Sequence, residues 1–241
     1  MTGNPIKRIG DRAVYVQISE ILDEEVRSLY NPGDVLPTEN DLADRFSVNR
    51  HTVRRAIDEL VSQGMLERKH GKGTFVLAQI NYSIGSGTRF TENLNSLGRN
   101  SCSHVLRKLV IPAVAGVAKR LDIVIGSPVI WIETFRTVDE QPFCIISHYL
   151  PKKDYEKLLQ DYDGGSLHQF LDSRFNIKLH RTESLITSVL PQGEDASYLK
   201  MPAHQPVLRT KSVNVNSTTN QPVEYALTRF RADRTELKIE P

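Results

Sequence analysis

Residues 12–76 hold, in order, three stretches of helical apolar spacing and two short β-prone runs, each set off by a turn or capping signal. Val14, Tyr15, Ile18, Ile21, Leu22, Val26 and Leu29 recur along one helix face, which predicts an amphipathic helix over 12–30. Pro32-Gly33 ends it. Thr38 offers a hydroxyl cap to a second, short helix, with Asp41 as its reciprocal partner and Leu42, Ala43 and Phe46 as its buried side. Ser47-Val48-Asn49 forms a tight turn in which Asn49 caps a third helix over 50–63. At about 100° per residue, Val53, Ala56, Ile57 and Leu60 gather in one arc. Arg50, His51, Arg54 and Arg55 occupy another, flanked by Thr52. Gly64 closes the helix, and the basic turn His70-Gly71-Lys72-Gly73 joins two short strands, Met65–Lys69 and Thr74–Val76.

This order is that of a winged helix-turn-helix, whose last helix enters the major groove with its N-terminal residues at base edges. Arginine suits that position because its fork bonds guanine O6 and N7 bidentately or grips phosphate. The charge is distributed to match. Residues 11–44 carry two basic and nine acidic side chains, and residues 45–75 carry seven basic and three acidic, although the whole chain is only +2. A cationic face with an acidic back orients on a polyanion. An arginine-rich helix by itself reads as a solvated face; the ordered set of five elements favours DNA. Candidate DNA contacts are Thr38, Asn40, Asn49, Arg50, His51, Thr52, Arg54, Arg55, His70, Gly71 and Lys72.

A domain of residues 1–77 would therefore be followed by a polar, glycine-bearing linker over 78–88 (AQINYSIGSGT), with room in it for one short strand. From Arg89 onward, helices are expected at 89–97, 114–121, 153–160, 167–175 and 195–200. Strands are expected at 105–111, 130–138, 143–150 and 183–190, with a hairpin of 207–215 and 223–232. Sequential strands joined by short turns favour a mainly antiparallel α+β domain. No glycine fingerprint follows a first strand, which argues against a dinucleotide fold. The sequence has no run of 18 apolar residues and no leader-like apolar core at its start, so a cytoplasmic protein without membrane partners is expected. Cys102 and Cys144 have neither metal-ligand nor disulfide-scaffold spacing. Without a nucleophile–base order, metal spacing or phosphate loop, neither enzyme activity nor a metal or cofactor is expected. A small-molecule enzyme and an architectural DNA-binding protein are the competing classes.

The segment LPTENDLADRFSVNRHTVRRAIDELVSQGMLERKHGKGTFV closely resembles the signature of the GntR family of bacterial transcription regulators, and the match runs from Arg12 to Val76. The resemblance implies that Arg50 and Arg54 read bases and that His70 and Gly71 form the wing tip. Asn40 stands where the family often has arginine. Further on come Arg89-Phe90-Thr91-Glu92, Arg136 with Asp139-Glu140-Gln141-Pro142, Gly165-Ser166-Leu167, Glu183, and Gln221-Pro222-Val223-Glu224-Tyr225 closing on Arg231. These resemble the UTRA effector-binding domain of the HutC branch. That likeness implies a chorismate-lyase-like fold over 89–241 that dimerises and binds a small anion such as a sugar phosphate, urocanate or a phosphonate. The implied pocket residues are Arg89, Phe90, Thr91, Arg136, Ser166, His168, Glu224, Tyr225 and Arg231, with Glu224 suited to a ligand amine. The competing readings are strand-surface salt-bridge partners for Arg136 and Arg231 and a simple helix N-cap for Ser166. Sugar-phosphate sensors of the branch often carry an arginine where this chain has Thr134. His148 and His180 read as ordinary structural or exposed histidines, and Trp131 as core or interface. The expectation is a homodimeric repressor of phosphonate uptake or metabolism genes, bound to an inverted-repeat operator and released by a phosphonate or phosphorylated effector. A sensor of sugar phosphates or other carboxylates is the alternative.

Overall fold

The computed structural model describes residues 12–77, 80–85, 94 and 98–239. The chain forms two compact units, Met1–Ile80 and Asn81–Pro241. In the first, α1 (Val14–Leu29), α2 (Glu39–Phe46) and α3 (Arg50–Ser62) follow the expected order. Thr38 caps α2 by accepting the Asp41 N–H, while the Asp41 carboxylate accepts the Thr38 N–H and hydroxyl. Ser47 then turns the chain in the left-handed region, at φ 53°, and the Asn49 side chain accepts the His51 N–H to start α3. Ile18, Leu22, Leu42, Phe46, Val53, Ile57 and Leu60 close one core with Leu66 and Val76. Burying each side chain of this size is worth about 1.5–3 kcal/mol, so the core sets the rotation of α3 about its axis and leaves its arginines outside. The wing consists of β1 (Leu66–Lys69) paired antiparallel with β2 (Gly73–Val76). Its turn needs glycine at Gly71, φ +69°, and Gly73, φ +115°. Leu36 N–H donates to the Thr74 carbonyl at 2.8 Å, tying the wing to the segment before α2.

The second unit is built on six antiparallel strands: β4 (Ser101–Pro112), β5 (Pro128–Val138), β6 (Gln141–Pro151), β7 (Leu179–Val189), β8 (Val207–Asn216) and β9 (Pro222–Arg231). Their order is β4-β5-β6-β9-β8-β7. The β5–β6 hairpin turns on Asp139 and Glu140, both at positive φ. Short helices α5 (Lys152–Tyr155), α6 (Leu158–Asp161) and α7 (Leu167–Phe175) pack on one face, over Ile130 and Ile132. The other face is covered by α4 (Ala115–Leu121) against Val129, Val213 and Val215, and by α8 (Asp195–Tyr198) near Ile145 and Val207.

Three expectations need refinement or correction, or fall outside view. Within the expected linker, residues 80–84 form the short strand allowed there, β3 (Ile80–Ile84), but it is paired rather than free, lying beside β10 (Thr235–Ile239). Its two-residue apolar alternation finds a partner only at the far end of the chain. The helix expected over 153–160 is broken into α5 and α6, because Leu159 and Gln160 make tight bonds three residues back, to Glu156 and Lys157. The helix expected over 89–97 lies outside the described residues except for Leu94.

Candidate functional sites

At the N-terminus of α3 the exposed Arg50 and Arg54 share a carboxylate the charge count had assigned to the acidic back. Arg50 Nε donates to Glu39 Oε2 at 2.9 Å, and Arg54 Nη2 donates to the same oxygen at 2.8 Å. Arg68 from the wing adds Nη2 to Glu39 Oε1 at 3.3 Å and pairs with Asp58. The Arg54 hydrogen bond is the largest influence on Glu39; burial opposes it, the Arg50 bond adds to it, and the carboxyl is held down at about 2. Thr38, Asn40, Arg50, Arg54 and the His70–Lys72 wing tip line one groove. His51 is exposed and Thr52 half-buried in the first turn of α3. Asn49 and Thr38 spend side-chain oxygens on helix caps. Arg55 is held separately, its guanidinium 3.9 Å from the centroid of the Tyr15 ring. Glu39 and Arg68 were not singled out from the sequence, because nothing local marks a carboxylate that meets arginines 11 and 15 residues away.

In the second unit a narrow cavity of about 50 Å³ opens on the sheet face that carries α7. Alternation along β9 aims Glu224, Ala226, Thr228 and Phe230 at it. Arg136 of β5 reaches it while only 3% exposed. Its Nη2 donates to the Gly165 carbonyl at 3.2 Å, which also accepts the Tyr162 hydroxyl at 3.0 Å. The loop passes close to β4 only because Gly164 has no side chain: its φ is +137°, and a Cβ would sit 3.1 Å from the Ser103 carbonyl oxygen. Ser166 follows, its hydroxyl oxygen accepting the Gln169 N–H at 3.3 Å to cap α7.

Glu224 is fully buried and holds three donors. His148 Nδ1 lies 2.5 Å from its Oε1, and His168 Nε2 and Asn214 Nδ2 each lie 2.7 Å from its Oε2. Burial pushes the carboxyl up, but the charge of His168 and the hydrogen bonds of both imidazoles outweigh it and hold it well below the usual range. Burial also pushes His148 down, against the pull of Glu224. A neutral imidazole that donates through Nδ1 leaves Nε2 toward Thr134 Oγ1, at 3.4 Å.

The structure therefore brings Arg136, Ser166, His168 and Glu224 together, and two assignments are corrected. Tyr225 faces the opposite side of the sheet, its ring 5.9 Å from that of Tyr149 and 5.8 Å from the Arg120 guanidinium. Arg231 has the same odd parity on β9; it pairs with Asp233 and donates to the carbonyls of Leu199 and Lys200. Glu224 has little room left for a ligand amine, since three donors of the protein take three of its about four acceptor positions. Arg89, Phe90 and Thr91 lie outside the described residues. His148, expected to be ordinary, is a buried member of the pocket, whereas His180 is exposed. Trp131 is half-buried on the opposite face, its ring 6.3 Å from that of Tyr149. Arg181 of β7 also lines the cavity, a residue no local sequence signal marks; burial pushes the Tyr82 phenol up, and the charges of Arg181 and Arg136 oppose that shift.

Both cysteines are free, and burial pushes the Cys144 thiol up to about 12. Among the described residues no cluster of His, Cys, Asp and Glu could hold a metal ion, and no helix is long and apolar enough to cross a membrane.

Residues 14–76 match the model of the bacterial regulatory proteins of the gntR family, and residues 96–236 match the UTRA domain. An Escherichia coli (strain K12) protein named "Probable transcriptional regulator PhnF" is 37% identical over 227 residues, 94% of each chain. A Shigella flexneri protein named "Probable fructoselysine utilization operon transcriptional repressor" is 28% identical, covering 97% of this chain and 96% of its own. The crystal structure of PhnF from Mycobacterium smegmatis superposes with a TM-score of 0.65 at 27% identity, over 93% of this chain and 98% of that one.

Proposed function

The chain belongs to the GntR family of bacterial transcription regulators and carries a UTRA domain of the HutC type, and we propose that it represses genes of phosphonate uptake or metabolism. Its matched relatives are regulators, not enzymes. In this reading a homodimer holds two α3 helices in successive major grooves of an inverted-repeat operator, and a small phosphonate or phosphorylated metabolite releases it.

The observation that carries the effector class is the composition of the cavity. Arg136 and Arg181 bring two guanidinium groups to a space of about 50 Å³, room for about three or four water-sized groups. Burying an anion is costly unless it is paired and hydrogen-bonded, and guanidinium forks with the hydroxyl and first N–H groups of α7 supply both. Among the described residues one carboxylate, Glu224, lines the cavity, and three donors of the protein already neutralise and hold it, so it does not need a ligand cation. For ligand to act as a switch, it must bind the two DNA-affinity states unequally.

A thermal-shift screen of alkylphosphonates, sugar phosphates and simple anions, followed by operator release by the best ligand, tests this reading. Stabilisation and release by a phosphonate are expected. Release by a sugar phosphate alone would transfer the protein to the sugar-phosphate sensors of the same branch.

A further inference from the structure

Three guanidinium groups converge on Glu39, the first residue of α2, whose backbone is pinned by the Thr38–Asp41 capping box. We infer that Glu39 is a positioning residue for operator specificity: it orients Arg50 and Arg54 toward base edges and lowers the protein's affinity for DNA of any other sequence. The inference rests on the DNA-recognition reading of α3.

Arg50 and Arg54 lie one turn apart on α3, where like charges repel and long side chains sample many rotamers. Glu39 removes both problems. It takes the Nε–H of Arg50 at 2.9 Å, and the Nε–H and one Nη2–H of Arg54 at 3.1 Å and 2.8 Å. Glu39 leaves uncommitted both Nη groups of Arg50, and the Nη1 and second Nη2–H of Arg54, which belong to the end that pairs with guanine O6 and N7. The wing's Arg68 donates to Glu39 Oε1 at 3.3 Å and to the Arg54 carbonyl at 3.3 Å, so reading helix and wing share one anchor.

The same carboxylate discriminates by charge. A guanine edge offers neutral acceptors, whereas a phosphate arriving at this site meets a carboxylate held ionised by its arginines. Attraction to DNA backbone is therefore reduced more than attraction to the correct base, and specificity is that difference.

The test uses the full-length protein and an operator enriched by the wild type from a random duplex pool, with a scrambled duplex as competitor. Glu39→Gln should bind the scrambled duplex several-fold more tightly, with a salt slope steeper by about one. Its operator-to-scrambled affinity ratio should fall by about tenfold, the loss expected when a bidentate base contact is misaligned. Glu39→Asp keeps the charge but withdraws it by one methylene; it should bind the scrambled duplex like wild type and still lose discrimination. The melting temperature of both should match wild type. A wild-type ratio in both variants overturns the inference, as does a parallel loss of both affinities with a lower melting temperature. Failure of the wild type to enrich any sequence would instead remove the DNA-recognition reading, and this inference with it.

Discussion

Arg136 and Arg231 are almost equally buried, 3% and 8% exposed, and differ in what they touch. Arg231 is neutralised by Asp233 and braced by two backbone carbonyls; Arg136 donates to the Gly165 carbonyl at the mouth of α7. Arg136→Ala should weaken effector binding by about 1.5–3 kcal/mol, roughly 10- to 150-fold, and leave operator affinity without ligand unchanged. The mutant would stay on DNA at effector concentrations that release the native protein. Arg231→Ala strands a buried carboxylate and should cost about 3–5 kcal/mol of stability, lowering the melting temperature. Titrating operator affinity with and without ligand beside melting curves separates the two; wild-type release by a well-folded Arg136→Ala protein would take Arg136 out of the pocket. In the DNA-reading unit, Arg50→Ala and Arg54→Ala should each cost about 1–3 kcal/mol against the operator, whereas Lys72→Ala should weaken all sequences alike and reduce the salt slope by about one. Operator binding equal to wild type in both arginine variants would end the recognition-helix assignment.

From Glu224 onward, parity along strand β9 decides what its residues do: Glu224, Ala226, Thr228 and Phe230 look into the cavity and Tyr225 into the opposite face, so adjacent residues of one sequence motif serve different cores. Val223 escapes the rule and packs with Ile130 and Ile132, where the register against β8 shifts. On that opposite face Arg229 bridges Glu133 at 2.7 Å and Asp195 at 2.9 Å, an ion cluster that locks β5, β9 and α8 together. On the cavity face the histidine of β6 makes the second unit sensitive to acid. His148 is depressed in the folded protein, so below about 6.5 the unfolded chain takes up a proton that the folded one resists. Its contribution is present above that pH and is lost as pH falls through the folded value. Glu224 is depressed from 4.5, and its contribution is lost only in stronger acid. Melting temperature should therefore decline from pH 7.5 to pH 5.5 in the wild type (about one unit either side of the reference value) and decline less in His148→Asn. Parallel slopes for the two proteins would contradict this account. The loop before α7 is limited in another way. Gly164→Ala forces a Cβ into the left-handed region and against the Ser103 carbonyl, so it should cost about 1–3 kcal/mol and displace the Gly165 acceptor from Arg136. Unaltered stability and ligand affinity would show that the loop is not held by that glycine.

For the whole molecule, a proposed two-fold pair of reading heads makes binding depend on the helical phase of the DNA. Inserting about half a helical turn between half-sites should abolish tight binding and a full turn should restore part of it, measured by footprinting. A single asymmetric footprint from a stable monomer would exclude the two-fold arrangement. How far such properties could be read from the chain depends on the range of the signals. Thr38, Ser47, Asn49 and Gly64 act within a few residues of themselves, so caps and turns determined the helix order, and the apolar arc of α3 determined which side its arginines occupy. Strand alternation and the Asp139-Glu140 turn likewise made the β5–β6 hairpin legible. The order of the sheet was not, because β6 lies beside β9 rather than β7, and no local period encodes that neighbour. Only that pairing brings His148 to Glu224 across 76 residues and sets Tyr225 and Arg231 on the far face. Packing the helices likewise brought Glu39 out of an acidic stretch and under the arginines, because partner choice between distant side chains follows from the assembled core and not from either segment's own preferences.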